Sequence, residues 1–190
     1  MKTMKETLAG IYPALKEEFG YKNVMQAPRV LKVVVATGVG KIQDKQKIAL
    51  IQDRLARITG QKTIGRGAKK SIASFKLREG EIIGYQATLR GPRMHDFLHK
   101  LIHLALPQTR DFRGLRVSAI DDMGNYTLGI KEHTIFPETA DEELKDVFGF
   151  GITIVTSAKT KKEAEALLRA IGLPLQKPGT EEKKGKRKNK

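Results

Sequence analysis

The chain has no cysteine. Disulfide frameworks, thiolate zinc sites and thiol nucleophiles are therefore excluded together, and the composition fits a reducing compartment. Also missing is any apolar run near the roughly 20 residues that cross a bilayer, and the Lys-containing start has no apolar stretch of a secretory signal. A cytoplasmic location is expected. Acidic residues are scarce beside basic ones, 21 Asp plus Glu against 36 Lys plus Arg, which leaves +15 and a pI near 10.0. Such an excess repels itself unless a polyanion neutralises it, so nucleic acid or an anionic membrane surface is the implied partner. The hydrophobic fraction of 39% over 190 residues suffices for one buried core.

Periodicity supplies the elements. Leu8, Ile11, Tyr12, Leu15 and Phe19 are spaced for an N-terminal helix over Lys5 to Phe19, with Pro13 inside the pattern as a kink or a delayed start. Val30 to Val35 is an almost unbroken apolar run, the pattern of a strand covered on both faces, ended by Gly38 and Gly40. Asp44 caps a predicted helix with Ile48, Ile51, Leu55 and Ile58 on one stripe, Lys47, Arg54 and Arg57 off it, and Gly60 as the stop. Strands are predicted over Lys62 to Arg66 and Glu81 to Arg90, separated by a long exposed loop or irregular hairpin from Gly67 to Gly80. A further helix runs from Pro92 through Leu106, with Pro107 beyond its end. Gln108 to Met123 is charged and aperiodic. Strands follow at Tyr126 to Ile130 and Gly151 to Ser157, then a helix opened by the capping box of Thr160 and Glu163 and closed by Gly172 and Pro174.

The helices and strands do not alternate regularly, so the expected fold is α+β: a mostly antiparallel sheet with helices on one face, a two-layer sandwich whose other face is free to bind. A single domain over residues 1–176 is expected. Residues 177–190 hold seven Lys or Arg against two Glu, without apolar periodicity, and are read as a basic tail disordered in isolation.

Catalytic motifs are incomplete. The T-G-V-G-K run at Thr37 to Lys41 lacks the phosphate-loop Gly where Val35 stands and the Ser or Thr where Ile42 stands, and Gln43 breaks the dinucleotide pattern. A tight turn after a strand is the better reading. His95, His99 and His103 recur every fourth residue, but the outer pair is roughly 12 Å apart at 1.5 Å rise per residue, and no carboxylate or thiol completes a site. Asp121 and Asp122 lack the alternating oxygen ligands of a calcium loop. No nucleophile-elbow pattern occurs. Neither an enzyme nor a metal or cofactor site is expected.

One third of the chain is different. Lys62, Arg66, Lys69, Lys70, Lys76, Arg78, Arg90 and Arg93 are interleaved with Thr63, Ser71, Phe75, Tyr85 and Thr88, as a surface that grips phosphates and stacks on bases requires. A solvated basic face is the plain alternative, and the clustering beside two strands favours RNA.

The same region reads I-T-G-Q-K at 58–62, A-K-K-S-I-A-S-F-K-L-R-E-G at 68–80 and T-L-R-G-P-R-M at 88–94, followed by A-L-P-Q-T-R-D-F-R-G at 105–114, G-N-Y-T-L-G-I-K-E at 124–132, I-F-P-E at 135–138 and G-I-T-I-V-T at 151–156. In this order, over about residues 5–175, the strings resemble the bacterial family of ribosomal large-subunit protein five. The resemblance implies a structural protein of the central protuberance that binds 5S rRNA and adjoins 23S rRNA, with no homo-oligomer. It implies 5S contacts through Gln61, Lys62, Thr63, Thr88, Arg90 and Arg93, and a loop carrying Ser71, Phe75, Lys76 and Arg78 to the P-site tRNA. Arg110, Asp111, Phe112, Arg113 and Arg116, with the later loop through Glu142, would meet small-subunit protein thirteen in an intersubunit bridge. Two departures stand out. Ala36 occupies the place of an Asn that helps the family bind 5S rRNA, so that this contact is either lost or partly replaced by the Thr37 hydroxyl, which is counted with the 5S contacts, and Gln108 replaces an Arg. The basic tail passes the family's usual end and is expected to thread along rRNA. The rival readings are a nucleotide-dependent RNA-modifying enzyme and a general RNA chaperone or membrane-surface protein acting by charge alone.

Overall fold

The computed structural model describes residues 10–42, 44–75, 77–110, 112–139 and 147–176. Five strands form one sheet: β1 (Val30–Gly38), β2 (Ile64–Gly67), β3 (Ile82–Leu89), β4 (Tyr126–Ile130) and β5 (Phe150–Thr156). Their order is β2-β3-β1-β5-β4, and every neighbouring pair is antiparallel. Among the described residues four main helices stand around them, α1 (Ile11–Phe19), α2 (Lys45–Thr59), α3 (Gly91–Lys100) and α4 (Lys161–Ile171). The fold is the α+β sandwich that the pattern predicts.

The helices form where cap and stripe coincide. Asp44 accepts the Gln46 N–H at 2.8 Å, and Gly60 closes α2 in the left-handed conformation, φ 64°. Thr160 accepts the Glu163 N–H, while the Glu163 carboxylate reaches back to the Lys159 N–H at 2.8 Å. The other Glu163 oxygen accepts the Tyr21 hydroxyl at 2.8 Å and so ties the segment after α1 to α4. Pro13 lies in the first turn of α1, where its missing N–H has no helical partner to lose, so no kink is needed.

Two expectations change. Pro107 does not lie past the third helix: α3 runs on through a π turn at Leu101–Ala105 into a last α turn at Leu106–Gln108. The Leu106 N–H reaches the Leu101 carbonyl, and the widened turn makes room where a proline ring meets the preceding turn. Nor is β1 covered on both faces. Val33 and Val35 are fully buried, whereas Val34 is half-buried and Leu31, beside a register shift, is exposed. A Val-rich central strand reflects β propensity as much as two-sided burial.

One core joins the inward face of the sheet (Val33, Val35, Leu89, Leu128, Ile152, Ile154) to Leu15 of α1, Ile51, Leu55 and Ile58 of α2, Phe97 and Leu98 of α3, and Leu167 and Leu168 of α4. All four helices thus lie on one side of the sheet. At the sheet margin Tyr126 is 1% exposed and donates its hydroxyl to the Arg116 carbonyl at 3.2 Å. Burial pushes its pKa up to about 12 from the ordinary 10.0. A raised folded pKa holds its stabilisation below the unfolded value and loses it as pH rises through the folded one. Thermal stability is therefore expected to fall between about pH 10 and 12, and Tyr126→Phe is expected to make that fall shallower; a melting temperature that drops equally in both proteins would contradict this.

Candidate nucleic-acid interface

The strand register defines the face that the helices leave open. Ile64 on β2 pairs with Gln86 on β3, Gln86 with Ala36 on β1, Ala36 with Gly151 on β5, and Gly151 with Gly129 on β4. One unbroken row thus crosses all five strands. Two residues along, Thr88, Val34, Thr153 and Thr127 form a second row, with the Thr127 and Thr153 hydroxyls 3.2 Å apart. Lys32 and Arg66 share this face by strand alternation, and no Asp or Glu occurs in either row. Gln86, three threonines and the cations Lys32 and Arg66 thus stand on this face beside the apolar Ile64, Val34 and Ala36.

Parity decides which predicted residues reach it. Thr88 does, and the Gln61 amide, 27 positions earlier in the chain, lies against β3 and donates to the Thr88 carbonyl at 3.4 Å. Lys62, Arg90 and Arg93 are exposed around that end of the sheet. Thr37 does not reach the face, which corrects the expectation set on it: the side chain is 6% exposed on the core side and its hydroxyl donates to the Gly149 carbonyl at 2.9 Å. Its neighbour Ala36 points outward, and in a strand adjacent residues cannot share a face. Thr63, only 4% exposed, is likewise turned inward and leaves the predicted contact set.

Between β2 and β3 the predicted long loop is a closed irregular hairpin. Ile72 and Leu77 exchange backbone hydrogen bonds at 3.1 and 3.2 Å, and the Ser71 hydroxyl accepts the Glu79 N–H at 2.9 Å. Phe75 stands at the tip, 64% exposed, with Ser71 and Arg78 also exposed. Lys76 lies outside the described residues. An exposed aromatic ring beside the hydrogen-bonded neck of this hairpin is suited to stacking.

The third predicted patch is on another side. Leu115 donates to the Pro174 carbonyl and accepts from the Gln176 N–H, each at 2.8 Å, which pins this segment beside the chain after α4. Arg110, Arg113 and Arg116 are exposed, whereas Phe112 is half-buried against the core and serves packing as well as surface. Asp111, the loop through Glu142 and the basic tail lie outside the described residues. Among the described residues no group of three His, Cys, Asp or Glu could hold a metal ion, and the His99 and His103 rings rest 4.5 Å apart, tilted against each other.

Comparison with known proteins decides among the readings of this basic, helix-backed sheet. Residues 23–78 match the family model described as ribosomal protein L5, and residues 82–175 match the model for the C-terminus of the same ribosomal family. The chain belongs to the ribosomal protein L5 family. It is 49% identical over 174 residues to the large ribosomal subunit protein uL5 of Flavobacterium johnsoniae, covering 91% of this chain and 95% of that one. Identity is 50% to the uL5 proteins of Desulfatibacillum aliphaticivorans and Heliobacterium modesticaldum, over 93% and 92% of this chain and 100% and 98% of theirs. As a member of the L5 family the chain is a structural component of the large ribosomal subunit, a partner of ribosomal RNA in the cytoplasm, and not an enzyme.

The interface also contains a group that sequence reasoning passed over, Gln86, the partner of Arg66. Arg66 donates from Nε to the Gln86 Oε1 at 2.7 Å across β2 and β3. Gln86 stands at the centre of the long row. Its only advance signal is strand alternation, which sets it on the same face as Thr88.

Proposed function

We propose that the open face of the sheet binds 5S rRNA and anchors it in the central protuberance of the large subunit, next to 23S rRNA. The observation that carries this reading is the five-strand outward face with Thr88 on it, Gln61 packed beside it, and Lys62, Arg90 and Arg93 exposed at its end. Amide and hydroxyl groups bond sugars and base edges, while the cations neutralise phosphate. Thr37 and Thr63 act in the fold instead. The Phe75 tip is the group that reaches P-site tRNA, and Arg110, Arg113 and Arg116, on a separate surface, meet small-subunit protein thirteen. Residues 1–176 act as one domain, and the basic residues after it follow rRNA.

The test compares binding of the full chain to cognate 5S rRNA, tRNA and a scrambled RNA at several salt concentrations. A preference for 5S that persists as salt rises is expected. Equal affinity for the scrambled RNA at matched salt would replace this reading by a charge-driven chaperone.

A further inference from the structure

Glycine within a strand weakens it, and its place there needs a reason. Gly129 and Gly151 are paired across β4 and β5, and Ala36 pairs with Gly151 from β1. A Cβ at Gly129 would meet nothing within 4 Å, and one at Gly151 would come no closer than 3.9 Å, to the Ala36 carbonyl. Neither glycine has a positive φ. Thus neither crowding nor backbone conformation requires glycine at these two positions. What the three small residues create together is a strip of nearly bare sheet about 10 Å across, two strand spacings.

One end of the strip has a defined polar group. The guanidinium of Arg66 can only donate, so its bond fixes the Gln86 carboxamide with Oε1 toward Arg66 and the NH2 directed away. Among the described residues no hydrogen bond is formed by that NH2. The row alongside offers the Thr127 and Thr153 hydroxyls, and the strip carries no apolar side chain larger than that of Ala36 until Ile64 on the far edge strand. Over the strip itself a docking protein segment would find only the Ala36 methyl to cover, with the half-buried Val34 in the next row and the exposed Ile64 at the far edge. A polyanionic strand finds donors, cations and no opposing carboxylate in these rows.

We infer that the bare strip of Ala36, Gly151 and Gly129 seats a sugar–phosphate strand of RNA, with Gln86, oriented by Arg66, donating a hydrogen bond at its end. The inference rests on the 5S reading and specifies which part of the face the RNA approaches most closely.

Gly129→Val and Gly151→Val in the full chain test it. Valine is the better strand former, so the melting temperature is expected to stay or rise, while affinity for 5S rRNA falls about tenfold, the scale of one or two hydrogen bonds broken by holding the strand off. Gly151→Ala, the smallest intrusion, is expected to keep the melting temperature and lose about threefold, and it replaces any Val variant that does not fold. Gln86→Leu is expected to lower 5S affinity at unchanged melting temperature. Wild-type RNA affinity in well-folded Gly129→Val and Gly151→Val overturns the strip, and so does unchanged RNA binding combined with failure to enter large subunits, which would assign the strip to a protein neighbour. Equal weakening toward 5S, tRNA and scrambled RNA, from a parent without 5S preference, keeps the strip as an RNA seat and removes the 5S reading instead.

Discussion

Gly84→Ala is expected to destabilise the fold by about 3 kcal/mol, at the upper end of what overpacking costs. A Cβ at this position would stand 2.7 Å from the Thr37 carbonyl oxygen, and that oxygen belongs to backbone in the centre of the sheet. Gly84 pairs with Gly38, and its neighbour Tyr85 with Thr37, so relief requires β3 to move away from β1. No side-chain rotation provides it. The measurement is thermal unfolding, with a melting temperature lower by roughly 6 to 12 °C for a chain of this size. Gly129→Ala is the control, since open space surrounds its Cβ position, and it should keep or slightly raise the transition. Equal melting temperatures for Gly84→Ala and the parent would show that the β1–β3 ladder can shift without cost. The two glycines separate two reasons for the same residue type: close backbone approach inside the sheet at Gly84, and clear space above it at Gly129.

Elements with a strong period are legible in the sequence itself. The stripe of Ile51, Leu55 and Ile58 with Asp44 and Gly60 at its ends defines α2, and the capping pair of Thr160 and Glu163 defines the start of α4. The alternation around Tyr85, Ala87 and Leu89 likewise marks β3. The orientation of β1 is not legible. In V-V-V-A-T every side chain is small or β-branched, so composition does not say whether Ala36 or Thr37 faces the core; pairing with β3 and β5 decides it. The family pattern places Thr37 beside the missing Asn, but adjacency in sequence is opposition in a strand. The Gln86–Arg66 pair is hidden for a related reason, since 20 residues separate its members and only the β2–β3 register brings them together. His133 escapes notice because nothing in its local sequence marks burial. It is wholly enclosed, with its ring stacked 4.3 Å from that of Phe148.

Replacing Lys62, Arg90 and Arg93 together by Ala is expected to reduce RNA affinity about a hundredfold near physiological salt. Each phosphate neutralised contributes up to about 0.9 to the slope of log affinity against log salt, so removing three such cations lowers the slope by about 2 to 3. All three side chains are exposed, and the fold should be almost unaffected, within about 0.5 kcal/mol per site. The loss should be shared by 5S rRNA, tRNA and scrambled RNA, because a phosphate contact carries no sequence information. Gln61→Ala and Thr88→Ala should behave in the opposite way, each costing about 1 kcal/mol toward 5S rRNA only, with the salt slope retained. Lys76→Ala, in the loop assigned to tRNA, should spare 5S binding. Removing the residues after Pro178 should lower the slope again if the basic tail follows rRNA. A triple variant that keeps the parent's slope would mean that these cations are solvated and that the phosphates are held elsewhere on the chain. A triple variant that loses only the 5S preference would mean that they read bases, and the division between positioning charges and specifying amides would have to be redrawn across the whole face.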